Sequence, residues 1–216
     1  MTVSKFIEDI KQIRLSNVFN PYSDFCSERD VVDAPELRSE ILTAILTCAE
    51  QKVLEAIWIG RDLGHLGGAR TGLAFTDGSN FNKHLSRWGV SFRQPTLESQ
   101  KERTATMIWR MLDQIKDPVF LWNAFPFHPY NPGNMNSNRA HSKRERRIGE
   151  DILVNLIDLI RPARIVAVGN DAELVALRSL PKNRVLKVRH PSYGGQSIFY
   201  TQIKELYNLV PVREIE

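Results

Sequence analysis

Apolar and polar positions follow two periods along this chain. Four short apolar runs rich in β-branched and aromatic residues, at 54–59, 119–122, Arg164–Val168 and Val185–Val188, predict buried strands. Helical spacing fills the intervals. Residues 33–36, Asp-Ala-Pro-Glu, read as a capping box opening a helix with Leu37, Ile41, Ile45 and Cys48 on one face. Pro95 and Thr96 open another, with Ile108, Met111, Leu112 and Ile115 inward. A third covers Lys143–Ile160, places Ile148, Ile152, Leu156 and Leu159 inward, and stops before Pro162, which cannot continue it. Asn170 or Asp171 caps a short helix, and residues 196–209 supply a C-terminal one. Core packing accounts for all of these stripes, and for Trp58 and Trp122.

Strands that alternate with helices imply a largely parallel sheet covered on both faces. The expected fold class is therefore α/β, with three layers, α/β/α, around a central, mainly parallel four-stranded sheet. No internal repeat, low-complexity tract or interdomain linker interrupts the pattern, so one domain over residues 1–216 is expected. The two polar, turn-rich stretches are 16–32 and 124–142.

Composition removes several function classes. The chain's two cysteines, Cys26 and Cys48, exclude a disulfide framework, a four-cysteine zinc site and a four-cysteine iron–sulfur cluster within it. Reduced thiols and a cytoplasmic location are the simplest expectation. Glu8 and Asp9 stand where a signal peptide needs an apolar run, and Asn155 and Asp158 interrupt the most apolar segment, so no membrane partner is expected. The balance of 29 Lys+Arg against 25 Asp+Glu, a net charge of +4, permits a polyanionic partner without demanding one. Arg139, Lys143, Arg144, Arg146 and Arg147 form a denser basic cluster, read either as a solvated helix start or as a phosphate contact.

In open α/β sheets, ligands bind beyond the carboxyl ends of the strands, which makes the search for chemistry a directed one. The first strand leads into Gly60-Arg61-Asp62-Leu63-Gly64-His65, and five of the twelve glycines fall within residues 60–72, so backbone approaches something closely there. The second leads into Asn123, the third into Gly169 and Asn170, and the fourth into His190-Pro191-Ser192-Tyr193-Gly194-Gly195. A carboxylate, an amide and an imidazole thus converge on one sheet edge. Taken singly, Asp62 also reads as a turn residue, Asn123 as a strand-end cap and His190 as a loop histidine. Asp62, His65, His128 and His190 are the candidate metal ligands, but their spacing matches no recognised ligand motif. There is no Gly-x-Ser-x-Gly elbow and no Gly-x-x-x-x-Gly-Lys-Ser/Thr loop.

Gly-x-Asp-x-x-His at 60–65, Gly72-Leu-Ala-Phe75-Thr, Asn123 and His190-Pro-Ser192 together resemble the uracil-DNA glycosylase superfamily, from about residue 54 to residue 200. The resemblance implies an enzyme that flips a pyrimidine, uracil or a 5-substituted one, out of DNA and hydrolyses its N-glycosidic bond, leaving an abasic site. It further implies catalytic roles for Asp62 and His190, and a base pocket from Gly60, Arg61, Gly64, His65, Phe75 and Asn123. DNA contacts would come from Ser192, Tyr193, Gly194, Arg139, Lys143 and Arg144. A monomer with no cofactor and no metal is expected. Gly64 stands where the uracil-strict branch carries a bulky tyrosine, which implies room for a C5 substituent. Gly194-Gly195 stands where several branches place an intercalating side chain, a place that Tyr193, Gln196 or a different loop would take over; weak duplex binding, or a preference for single-stranded or mismatched substrate, is the expectation. The alternatives are a glycosylase for heavily modified viral bases such as glucosylated hydroxymethylcytosine, acting in anti-phage defence, and a catalytically silent nucleic-acid-binding member.

Overall fold

A computed structural model describes residues 1–209 of the chain. In order, its elements are α1 (Val3–Gln12), β1 (Val18–Phe19), α2 (Ala34–Glu50), β2 (Ala56–Asp62), α3 (Gly68–Thr71), α4 (Phe81–Trp88), α5 (Arg103–Leu112), β3 (Val119–Phe125), β4 (His128–Pro129), α6 (Lys143–Ile160), β5 (Arg164–Val168), α7 (Asn170–Ser179), β6 (Val185–Val188) and α8 (Gln196–Leu206). The main sheet has the order β3-β2-β5-β6, and every pairing in it is parallel.

Alternation along the strands builds the three layers. Ile57, Ile59, Phe120, Trp122, Ile165 and Ala167 face one way and bury against α1, α2, α4, α6 and α7. Ala56, Trp58, Leu121, Val166, Val168 and Val188 face the other way and bury against α5 and α8. Both faces of β2, β3 and β5 are apolar because both are covered, which is why these strands read as apolar runs. β6, expected to be buried, is an edge strand in which only Val188 is buried and Lys187 is exposed. The architecture is the α/β/α sandwich expected. Among the described residues, no helix is long and apolar enough to cross a membrane.

The first two strands run further than their apolar runs. The ladder continues through Gly60 opposite Asn123 and Asp62 opposite Phe125, so these polar residues stand on strand ends rather than in loops. Hydropathy could not show this, because glycine, arginine and aspartate are poor strand formers and only the neighbouring strand holds them extended.

Several boundaries also differ from expectation. Asp33 is the N-cap of α2 but makes no side-chain cap bond; its carboxylate is taken by the Arg93 guanidinium. Pro95 and Thr96 open no helix. Their segment pairs with the N-terminal region instead, through Val31 N–H to the Pro95 carbonyl (3.1 Å) and Leu97 N–H to the Arg29 carbonyl (2.9 Å). Helix α5 starts at Arg103, with Glu102 as its N-cap, and Ile115 is buried beyond its end. Gly169, rather than Asn170 or Asp171, precedes α7 as its N-cap, and α8 ends at Leu206. The N-terminal segment carries α1, packed on α2 and α6, and β1, which pairs with β4. Residues 210–216, the end of the expected domain, lie outside the described residues.

Candidate active site

Beyond the carboxyl ends of the parallel strands lies a cavity of about 390 Å³, whose walls include Asp62, Gly64, Phe75, Glu102, Asn123 and His190. Gly60 and Asn123 face each other on adjacent strands, and the Phe75 ring is laid across them. A Cβ at Gly60 would stand 2.6 Å from both Asn123 Oδ1 and Phe75 Cζ, so only glycine lets amide and ring approach this closely. Phe75 adopts φ +54°, a left-handed backbone uncommon for a bulky residue. Its carbonyl accepts the Trp109 indole N–H at 3.0 Å, which anchors the turn to α5. Asn123 is almost fully buried, yet its side-chain amide has no hydrogen-bond partner among the described residues and stays available to the cavity.

Asp62 is held from two sides. Arg61 Nε donates to Oδ2 at 2.6 Å, and His141 Nδ1 makes a close hydrogen bond to Oδ1. Both carboxylate oxygens are therefore oriented before any ligand arrives. Arg61 also reaches Asp171 at the start of α7 (3.7 Å). His141 was not singled out from the sequence; it sits one residue before Ser142, the N-cap of α6, in a stretch that reads as polar loop.

On the opposite side, the Ser192 backbone N–H points at His190 Nδ1 at 3.2 Å. An acceptor at Nδ1 places the ring proton on Nε2, leaving the other ring nitrogen a donor. Burial, reinforced by the charges of Arg61 and Arg189, holds this imidazole below the usual histidine range, so it is neutral at pH 7. Ser192 Oγ lies 3.2 Å from Thr104 Oγ1, which ties the loop to α5. Tyr193 follows with φ +52° and is 98% exposed at the cavity rim; Gly194, at φ +74°, completes the turn.

Glu102 lines the cavity and, like His141, is not revealed by the sequence. Burial, aided by the nearby Asp77 charge, pushes its carboxyl up to about 7. Glu102 falls in the polar stretch after Pro95, where the sequence predicts a helix that the structure begins only at Arg103.

Several expected site residues lie elsewhere. His65 does not line the cavity; its backbone N–H is held by Asn138 Oδ1 at 3.0 Å. Gly60 lies beneath Asn123 and Phe75 rather than on the wall. Arg139 reaches the cavity edge, but its guanidinium binds Glu145 through two nitrogens and the carbonyls of Asn17, Tyr130 and Ala140, leaving no N–H for a phosphate. Lys143 and Arg144 are exposed on the first turn of α6. The His128 ring nitrogens lie 2.8 and 2.9 Å from the carbonyls of Leu63 and Met135, a strut between two loops. Among the described residues, no group of three or more His, Cys, Asp or Glu is placed to hold a metal ion.

Comparison with known proteins adds a family. Residues 51–205 match the uracil DNA glycosylase superfamily. Among solved structures, the fold is similar to the crystal structure of SMUG2 from Pedobacter heparinus, with a TM-score of 0.63 and 16% identity, covering 96% of this chain and 97% of that one. A mimivirus UNG variant in complex with UGI aligns at a TM-score of 0.44 and 17% identity, over 88% of this chain and 69% of that one. No curated protein sequence matches the chain.

Proposed function

The chain belongs to the uracil DNA glycosylase superfamily, and from that membership we propose that it excises a pyrimidine base from DNA, uracil or a 5-substituted one, by hydrolysing the N-glycosidic bond. One observation carries the reading. A buried amide without a partner, a carboxylate oriented from two sides and a neutral imidazole border a single cavity beside an aromatic ring.

The target nucleotide leaves the stack, at a cost of a few kcal/mol that is least where pairing is already weak. Phe75 stacks on the base, and the Asn123 amide donates to a ring carbonyl while accepting from a ring N–H. As the bond breaks, negative charge grows on the base and positive charge on the sugar. The His190 Nε2–H donates to the base oxygen that becomes anionic. A neutral donor suffices for this, and losing one such donor typically costs about 10²–10³-fold in rate. Asp62 faces the sugar, stabilises its positive charge and orients the attacking water. Ser192 and neighbouring N–H groups hold a flanking phosphate, and Tyr193 fills the gap left in the stack.

Oligonucleotides carrying uracil, a thymine mismatch or hydroxymethyluracil, treated with alkali after incubation, report abasic sites. Asp62→Asn and His190→Ala are expected to lower strand cutting at least about 10²-fold while DNA binding is largely kept. Unchanged rates in both variants would remove the assignment.

A further inference from the structure

The absence of a side chain at Gly64 does not leave a hole. A Cβ there would stand 3.0 Å from Glu102 Oε1, and one at Gly67 would overlap Oε2. The carboxyl of Glu102 occupies the space that these two glycines vacate, so the wall at this point is polar rather than open.

The backbone of Glu102 is fixed beside these glycines. Its backbone N–H donates to Asp77 Oδ2 at 2.7 Å, and Asp77, fully buried, takes the Asn80 N–H (2.9 Å) and Nδ2 (2.8 Å) on its other oxygen. The Glu102 carbonyl accepts the Thr106 N–H at 3.0 Å, within the first turn of α5. As N-cap the side chain could fold back on its own helix, but it makes no cap bond. Its carboxyl joins no hydrogen bond or ion pair among the described residues and instead faces the cavity shared with Phe75, Asn123 and His190.

We propose that Glu102 is a specificity-determining residue of the pocket, reading a hydrogen-bonding substituent on the edge of the seated pyrimidine and favouring a 5-hydroxymethyl over a 5-methyl group. The inference rests on the base-excision reading above, with Gly64 turned toward C5 of the base. A carboxyl shielded from water and lacking a protein partner gains a bond when a hydroxyl is brought to it. A methyl group in the same place shuts out the remaining water and leaves the carboxyl unpaired. Sites built around such a bond discriminate more strongly than apolar pockets, where one carbon is worth little. With its pKa near 7, the group is both acid and carboxylate at neutral pH, and either form pairs with a hydroxyl.

The test is the ratio of kcat/KM for hydroxymethyluracil over thymine, each opposite guanine in otherwise identical oligonucleotides. Wild type, Glu102→Gln and Glu102→Ala are compared after thermal melting shows each to be folded. Wild type is expected to favour hydroxymethyluracil by about tenfold or more, Gln to keep that preference within about threefold, and Ala to lose it. A wild type that prefers thymine, or a ratio unmoved in the Ala variant, overturns the inference while base excision stands. The same ratio read by equilibrium binding of the oligonucleotides needs no turnover. A Glu102-dependent binding preference with no abasic product from any base would sink the excision reading and leave this one supported; binding without that dependence overturns it.

Discussion

Glu102 and Asp77 place two carboxylates close together on the buried side of α5, and only Asp77 has hydrogen-bond partners for its oxygens. The penalty for ionising Glu102 therefore appears in folding. Its folded pKa of about 7 stands above the unfolded value of 4.5, so between those values the native state holds more protons than the unfolded chain. Stability then falls as pH rises from about 4.5 to about 7 and levels off above. Glu102→Gln is expected to remove that slope, gaining of the order of 2 kcal/mol over wild type at pH 8 and nothing at pH 4. Urea denaturation across pH measures this, and parallel curves for the two proteins would contradict it. At the same scale, His190 is held neutral at pH 7, and in its proposed role as a neutral donor the pH–rate profile is expected to be flat through the ordinary histidine range and to change only below it; a break that stays at the same pH in His190→Ala would contradict this.

Helix α6 shows how an element sets the site from a distance. Gly149, in its middle, is unfavourable for a helix by about 1 kcal/mol relative to alanine. It is retained where α6 presses on β3: a Cβ at this position would overlap the Ala124 carbonyl oxygen, the backbone next to Asn123. The N-terminus of the same helix is fixed by a reciprocal cap between Ser142 and Glu145, with His141 immediately before it against Asp62. Gly149→Ala is expected to push the helix off the strand, costing about 2 kcal/mol despite the better helix former. Glycosylase rate should fall with it, because His141, at the start of the helix, moves off Asp62. A variant as stable and active as wild type would show that the contact is slack.

At the scale of the whole molecule, α1 closes the face of the sheet opposite α5 and α8. Phe6, Ile7 and Ile10 are buried there, and the Phe6 ring lies 6.0 Å from that of Trp122, the neighbour of Asn123 in β3. The N-terminal segment is thus part of the core under the cavity floor, although the family match begins at residue 51. Phe6→Ala is expected to cost about 3 kcal/mol or more, read as a lower denaturation midpoint with an unchanged slope. A loss under about 0.5 kcal/mol, the usual range for surface substitutions, would mean that α1 is dispensable to the fold.

Asp62, Asn123 and His190 were legible in the chain because each stands at or just past the end of a strand-like run, and the parallel arrangement sends all such ends to one edge. Phe75 was legible only through the resemblance of Gly72-Leu-Ala-Phe75-Thr to the uracil-DNA glycosylase superfamily. Glu102 and His141 were not legible. Both sit in polar, irregular stretches with no period, and what makes them part of the site is proximity to Gly64 and Asp62 across 38 and 79 positions, read from 102 against 64 and 141 against 62. The helix expected from Pro95 failed for a related reason: its backbone bonds go to residues 29 and 31, a partner that local sequence does not name. Sequence alone determined which residues are buried and therefore the layers, since hydrophobic burial follows local pattern. The tertiary fold decided which polar groups meet, since hydrogen bonds and the exclusion of water depend on atoms brought together from distant segments.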